Sequence, residues 1–418
     1  MQTDILTQRS HSAAEAWTLP LADLDPAHPA LFQNDAIWPY FERLRAEAPV
    51  HYTRESMYGP YWSVTRYRDI LTVEADHETY SSDWKLGGIA VRDQRTDFPL
   101  PMFIAMDPPK HDRQRAVVSP MFSPAGVAAM EAGIRARAAE VLDRLPIGET
   151  FDWVSRVSIE LTTQMLAILF DFPWEERARL TRWSDVSTAL PGMGIVDTEE
   201  QRQAELTECL AAFAKLWNER VNAEPRPDLV SMLAHADSTR GMDPRELLGN
   251  VILLIVGGND TTRNSITGGL LALHRHPDQY AKLRGNPALV ASMVPEIIRW
   301  QTPLAHMRRT ATRDAELGGQ TIRAGDRVVM WYVSGNRDPD AIEQPDSFII
   351  DRTRPKKHLS FGFGIHRCVG ERLAEMQLRV VWEEILARFP VIEVMGEPRR
   401  VYSSFVKGYE TLPVRIPG

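Results

Sequence analysis

The sequence predicts a mainly α-helical fold with a smaller β region, on three observations. Helical apolar periodicity dominates from Lys110 to about Arg299. Strand signals are short and lie outside that stretch, at Val50–Tyr52, Tyr61–Thr65 and Ala315–Trp331. No Pro/Ser-rich linker, internal repeat or low-complexity stretch divides the 418 residues, so 1–418 reads as a single domain.

In chain order, residues 1–35 read as an extended, flexible lead-in punctuated by Pro20, Pro26 and Pro29. A helix follows at Trp38–Glu47, then the first strand pair across the Met57–Pro60 turn, then a helix from Tyr67 to Asp76. Residues 81–107 are irregular and rich in Gly and Pro, yet carry Trp84, Phe98, Met102, Phe103, Ile104 and Met106. A segment that apolar folds over something apolar. Breaks in the helical region fall at Pro120–Pro124, Pro146–Gly148, Pro173, Pro191–Gly194, Pro225–Pro227 and Gly241–Pro244. Gly318–Gly319 and Ala324–Gly325 mark turns among the later strands, and Glu371–Phe389 is a strongly periodic helix. Ser404–Pro413 reads as a hairpin with Lys407–Gly408 at its tip.

Composition narrows the function. A formal net charge of −8 and a pI near 5.8 argue against nucleic acid as the main partner. Only two cysteines occur, so no disulfide framework is implied and a reducing cytoplasm fits. Cys209, in the helical run Glu199–Asn222, reads as a small buried hydrophobe. The longest apolar run, Val251–Val256, is far short of the ~20 residues a membrane span needs, so no transmembrane segment is expected. Met1–Leu24 has no apolar core of signal-peptide type.

Chemistry concentrates in Phe361-Gly-Phe-Gly-Ile-His-Arg-Cys-Val-Gly370. Cys368 stands at the start of a helix, where unpaired N–H groups and the dipole favour thiolate over thiol. Gly362, Gly364 and Gly370 let the backbone fold tightly around the sulfur, and His366 and Arg367 add positive charge. This is the pattern of a shielded single-thiolate metal ligand, better suited to haem iron than to zinc, which wants about four ligands. A buried cysteine in a glycine-rich turn would have the same local signature.

The second stretch is Arg245–His276, about 45 Å long if helical at ~1.5 Å per residue. Val251–Val256 is apolar on every face, which marks a buried helix, and Gly257-Gly-Asn-Asp-Thr-Thr262 follows directly. Two adjacent helical glycines are each unfavourable by about 1 kcal/mol, so something should compensate. The Thr261 hydroxyl can bond the Gly257 carbonyl and open a local groove, beside which Asp260 and Thr261 could relay protons. A glycine kink with a capped polar patch fits the same residues. Glu296-Ile-Ile-Arg299 puts two charges on one helix face among apolar flanks, where burial demands partners. His111 and Arg115 share a face at i,i+4 spacing, and Arg309 enters the strand region.

These motifs carry a resemblance. Phe361-x-x-Gly-x-x-x-Cys368-x-Gly370 resembles the haem-binding loop of the cytochrome P-450 superfamily at all four fixed positions. Gly257–Thr262 is similar to the superfamily's central-helix motif, Glu296–Arg299 to its Glu-x-x-Arg pair, and Arg352 to the arginine that joins that pair. The motifs occur in family order over residues 108–370. The resemblance implies the cytochrome P-450 fold, a triangular helical domain with a long central helix and small antiparallel sheets. It implies haem b (iron protoporphyrin IX) with Cys368 as the axial iron ligand, bordered by Phe361 and Gly257. His111, Arg115, Arg309 and His366 become the propionate partners, Asp260 and Thr261 the proton relay, and Glu296, Arg299 and Arg352 the scaffold of the cysteine loop.

The implied reaction inserts one oxygen atom of O2 into a C–H bond. Two electrons must then come from outside, since the chain has no room for a flavin or iron–sulfur domain. A ferredoxin with its NAD(P)H-dependent reductase is expected, docking near Arg367, Arg372, Lys110 and Arg113. Pocket residues by resemblance are Trp84, Leu86, Ile89, Phe98, Met102, Phe103, Ile104, Leu190, Met193, Val256, Leu304, Met307, Phe405 and Val406. They are apolar with no obvious charged anchor, so a hydrophobic substrate is expected.

At finer grain Pro101–His111, Gly257–Ser265, Thr302–Thr310 and His358–Glu384 resemble bacterial terminal alkane and fatty-acid hydroxylases. That implies ω-hydroxylation of medium-chain alkanes, fatty acids or related alcohols. Sterol side chains or branched isoprenoids are the alternative substrates. A non-catalytic haem-thiolate sensor needs no proton relay and a peroxygenase usually lacks the acid–alcohol pair, so Asp260–Thr261 weigh against both.

Overall fold

The computed structural model describes residues 10–93 and 97–418. Its principal helices are α1 (Trp38–Glu47), α2 (Tyr67–Ala75), α3 (Lys110–Val118), α4 (Pro124–Asp143), α5 (Glu160–Phe170) and α6 (Ala178–Thr188). They continue with α7 (Glu199–Val221), α8 (Leu229–His235), α9 (Pro244–Arg275), α10 (Pro277–Gly285), α11 (Val290–Gln301) and α12 (Glu371–Arg388). The expected breaks separate these helices because proline ends a helix or opens the next: Pro124 and Pro244 begin theirs. The Ser123 side chain caps α4 by accepting from the Gly126 N–H, and Asp243 caps α9 by accepting from the N–H groups of Arg245 and Glu246.

Among the described residues the strands form four sheets, the largest of five strands. β1 (Val50–Thr53), β2 (Tyr61–Val64), β3 (Tyr80–Ser81), β4 (Met307–Ala311) and β5 (Arg327–Met330) form a sheet in the order β1-β2-β5-β4-β3. Within it β2 and β5 run parallel and the other neighbours antiparallel. The helices share one large apolar core through which α9 runs, buried along most of its length. Two smaller clusters lie around Trp331 and around the sheet. Among the described residues no single helix is long and apolar enough to cross a membrane.

Two expectations change. The first nine residues, with Asp4 and Arg9, lie outside the described residues, but the rest of the expected lead-in is neither extended nor loose. Short helices at Glu15–Thr18 and Pro29–Gln33 bury Ala16, Leu31 and Phe32 against Phe41 and Trp331. The prolines punctuate helical turns here, and the apolar residues between them supply the burial that orders the segment. The C-terminal hairpin is also displaced. Arg399–Arg400 pairs with Tyr409–Thr411, so residues 401–408 form the connection and the chain beyond Leu412 pairs elsewhere, with Thr150–Asp152.

Candidate active site

The cysteine loop closes on itself through the Cys368 N–H, which donates to the Phe361 carbonyl at 2.8 Å. Gly362 and Gly364 take left-handed φ values of +65° and +66°, and a Cβ at Gly364 would collide with the Glu74 carbonyl oxygen. Gly370 differs from expectation: its φ is −91°, and a Cβ there would stand 4.0 Å from the Cys368 sulfur, an ordinary contact. The open surface of Cys368 faces a cavity. Set deep in the protein, away from bulk water, the thiol is pushed up to about 11 by burial, which outweighs the Gly370 N–H and the nearby charges of Arg115 and Arg367. Burial thus opposes the thiolate that the helix start favours. Cys209 is fully buried, and burial raises its thiol likewise.

The cavity encloses about 590 Å³ and joins every expected segment. Ile89, Phe98, Met102, Phe103 and Ile104 line it from the irregular stretch, Val256, Gly257 and Thr261 from α9. Leu304, Met307 and Phe405 line it too, together with Phe361 and Cys368. Val406 does not: it pairs with Leu304 through the backbone, and strand-like alternation turns its side chain away from Phe405's face. Trp84, Leu86, Leu190 and Met193 also lie outside the lining, with Leu86 and Met193 exposed at the surface. Charged groups are present as well, since Arg92, Asp93, Glu199 and Arg202 reach the wall. Arg202 is held by Glu199 at 3.0 Å and by the Val186 and Ser187 carbonyls at the end of α6.

Arg115, Arg309 and His366 make one edge of the cavity basic, and His111, outside the lining, packs against His366. His111 and His366 meet edge to face, with ring centroids 4.3 Å apart. The His111 Nε2 and both His366 ring nitrogens are buried without a partner. Burial holds both imidazoles below their ordinary value. Arg115 and Arg309 line the same cavity; Arg115 donates to the Arg367 carbonyl. Arg309 has a partner that the motifs did not reveal: its guanidinium donates to the buried Glu74 carboxylate at 2.8 Å, and Tyr332 donates its hydroxyl to the same group. Orphaned imidazoles beside two guanidiniums at one edge of a mainly apolar slot, with one thiol in its lining, fit a largely apolar cofactor that carries anionic groups and takes a sulfur ligand.

In α9 the glycine pair divides its work. A Cβ at Gly258 would fall 2.8 Å from the Leu166 Cδ2, so this residue lets α5 approach, while Gly257 faces open space in the cavity. Thr261 donates to the Gly257 carbonyl at 2.9 Å and lines the cavity, leaving its lone pairs free to accept. Asp260 points the other way. Its Oδ1 accepts from Ser184 and Asn259 at 3.0 Å each and lies 3.1 Å from Arg263, which also pairs with Asp185 at 2.6 Å. The alcohol thus faces the cavity and the acid does not. The Asp260 Oδ2 is buried without a donor, and burial pushes the carboxyl up to about 6.

That shift has a sign. The folded state binds the Asp260 proton more tightly than the unfolded chain, whose ordinary value is 3.8, so this contribution is complete below about pH 4 and lost as pH rises through about 6. Asp260→Asn removes it. In urea unfolding, wild-type stability relative to the variant should fall between about pH 4.5 and 7; parallel behaviour would exclude burial as the cause.

Glu296, Arg299 and Arg352 meet in one cluster. Arg299 holds Glu296 with two bonds of 2.7 and 2.8 Å, and Arg352 reaches the same carboxylate at 2.9 Å. Their remaining donors clasp the carbonyls of Asn336, Pro345, Gln344 and Ser347. Glu296 also accepts from the Ile349 N–H at 2.8 Å. The cluster pins the chain leading into the cysteine loop. Glu296→Ala strands two buried guanidiniums and should destabilise the protein by ~3–5 kcal/mol, read as a lower denaturation midpoint.

The family profile described as cytochrome P450 matches residues 197–408. Linalool 8-monooxygenase of Pseudomonas putida is 36% identical, covering 93% of this chain and 98% of that protein. A methyl-branched lipid omega-hydroxylase of Mycobacterium tuberculosis is 33% identical over 90% of each chain. The solved structure of CYP153D17 from Sphingomonas sp. superposes with a TM-score of 0.88 at 51% identity, covering 94% of this chain and 99% of that one.

Proposed function

The chain belongs to the cytochrome P450 family and is a monooxygenase, and within that class we propose that it hydroxylates the terminal carbon of medium-chain alkanes, fatty acids or related alcohols. The observation that carries this reading is the apolar cavity running from Cys368 past Gly257 to Leu304 and Phe405. The runs similar to terminal hydroxylases fall on its walls, and one relative is named an omega-hydroxylase.

The family's haem iron is assigned as haem b, which the Cys368 sulfur would hold. His111, Arg115, Arg309 and His366 would hold its carboxylates, and Phe361 and Gly257 would border it. The bound group supplies the oxidising chemistry that cleaves the C–H bond. The protein holds the thiolate in a dry loop, excludes water with apolar walls and moves protons. Thr261 is the hydroxyl in contact with the reacting molecule, and Asp260, its carboxyl raised to about 6 by burial and so roughly a tenth protonated at neutral pH, supplies the proton from behind it.

Electrons reach the site from a redox partner, which we assign as a ferredoxin served by an NAD(P)H-dependent reductase. Arg367, Arg372, Lys110 and Arg113 are exposed on the side that carries the cysteine loop and the start of α3. Two free cysteines suit a reducing cytoplasm.

Terminal attack needs geometry, because secondary C–H bonds are weaker than primary ones. Leu304, which lines the cavity with Val256 and Gly257, narrows the approach. With dodecanoate, Leu304→Ala should raise the share of in-chain alcohols several-fold; an unchanged product ratio would sink the funnel. Soret titrations with octane, dodecanoate and a sterol test the substrate class, with dodecanoate or octane expected to bind tightest. The second reading is a branched lipid, favoured by the methyl-branched lipid named for one relative.

A further inference from the structure

His306 has no role in the chemistry above, yet it is fully buried between two walls of the cavity. Its Nδ1 lies 2.9 Å from the Ser404 carbonyl and its Nε2 3.1 Å from the Val91 N–H. A carbonyl only accepts and an amide N–H only donates, so the tautomer is fixed: Nδ1–H donates to Ser404 and Nε2 accepts from Val91. Burial pushes the ring down to about 4, which keeps it neutral. Its faces are packed too, against Trp331 at 4.8 Å and Phe405 at 5.3 Å between centroids.

The two partners belong to different walls. Val91 follows Ile89 and Ala90, which line the cavity from the irregular segment; Ser404 precedes Phe405, which lines it from the C-terminal connection. Neighbouring backbone bonds continue both joints: Arg308 N–H to the Ile89 carbonyl at 2.7 Å, and Ala305 N–H to the Phe405 carbonyl at 2.9 Å. An apolar ring of similar size could fill the space, but would leave a buried N–H and a buried carbonyl unpaired.

We propose that His306 is a positioning residue for substrate selectivity: its two ring bonds hold the Ile89–Ala90 wall and the Phe405 wall at one fixed separation. This rests on the cavity being the substrate site of a P450 monooxygenase, not on which substrate it takes.

The test uses the holoenzyme as wild type and as His306→Phe, His306→Gln and His306→Asn. Gln keeps an acceptor where Nε2 stands, and Asn keeps a donor where Nδ1 stands. Each protein is titrated in the Soret band with imidazole, too small to reach the walls, and with phenylimidazole, which reaches them. Imidazole affinity should stay the same in all four, while phenylimidazole affinity falls about tenfold in His306→Phe and recovers in part in His306→Gln. Amide exchange at Val91 should quicken in the Phe and Asn variants and stay slow in the Gln variant. An unchanged or increased affinity ratio, or unchanged Val91 exchange in His306→Phe, overturns the proposal. If the Phe variant does not fold, equal behaviour of the Gln and Asn variants overturns it instead. Neither probe is a substrate, so a failure of the terminal-hydroxylation reading would leave these results standing.

Discussion

Cys368→Ser should abolish turnover, lowering it by about 10³-fold or more, which corresponds to a barrier raised by ~4 kcal/mol. The sulfur stands in a closed loop whose shape comes from elsewhere: the Phe361 carbonyl, the left-handed glycines 362 and 364, and the Glu296 cluster. A serine fits that space, so the fold should survive and the effect should be chemical. A thiolate is a strong, polarisable donor, whereas a serine hydroxyl buried in the same place remains protonated and donates weakly. The variant should therefore keep wild-type helicity by circular dichroism while its carbon monoxide complex loses the thiolate-type Soret position. Wild-type turnover in the serine variant would remove Cys368 from the reaction.

Thr261→Ala should separate dioxygen consumption from product formation. The hydroxyl is the only part of the acid–alcohol pair that lines the cavity, with its proton committed to the Gly257 carbonyl and its lone pairs turned to the open side. Removing it takes away the group that orders a proton donor at the reacting molecule. Product formation should fall by about 10²-fold, the low end for a positioned acid, while NAD(P)H consumption falls far less and the difference leaves as peroxide. Asp260→Asn should slow both together, because Asp260 lies behind the wall and supplies protons rather than orienting them. Full coupling in Thr261→Ala would contradict this division of labour.

The elements that sequence made legible are those whose cause is local. Proline and glycine breaks bound the helices, Asp243 and Pro244 announce the start of the long central one, and the two left-handed glycines of the cysteine loop answer to their φ values. Glu296 and Arg299 were visible as a pair because three-residue spacing shares a helix face, and Arg352 because a known motif names its place. What stayed hidden depends on distant partners. Nothing around Glu74 says that its carboxylate meets Arg309 and Tyr332, more than two hundred residues away. The direction of Asp260 was ambiguous for the same reason: adjacent residues on a helix diverge by about 100°, and only the packing of α6, bringing Ser184 and Asp185, decides which faces the cavity. Arg263 was within reach, since its i+3 spacing from Asp260 was on view. The pull of burial against the Cys368 thiolate was hidden too, because a sequence shows the helix start but not the depth of burial.

The most direct measurement is a turnover of dodecanoate under isotopically labelled dioxygen with ferredoxin and its reductase, followed by mass spectrometry of the hydroxylated acid. A cavity that fixes a terminal methyl group at the reaction centre predicts one labelled oxygen atom per product molecule, carried mainly by the terminal carbon. Label absent from the product, or spread over in-chain positions with the terminal alcohol a minor component, would contradict it.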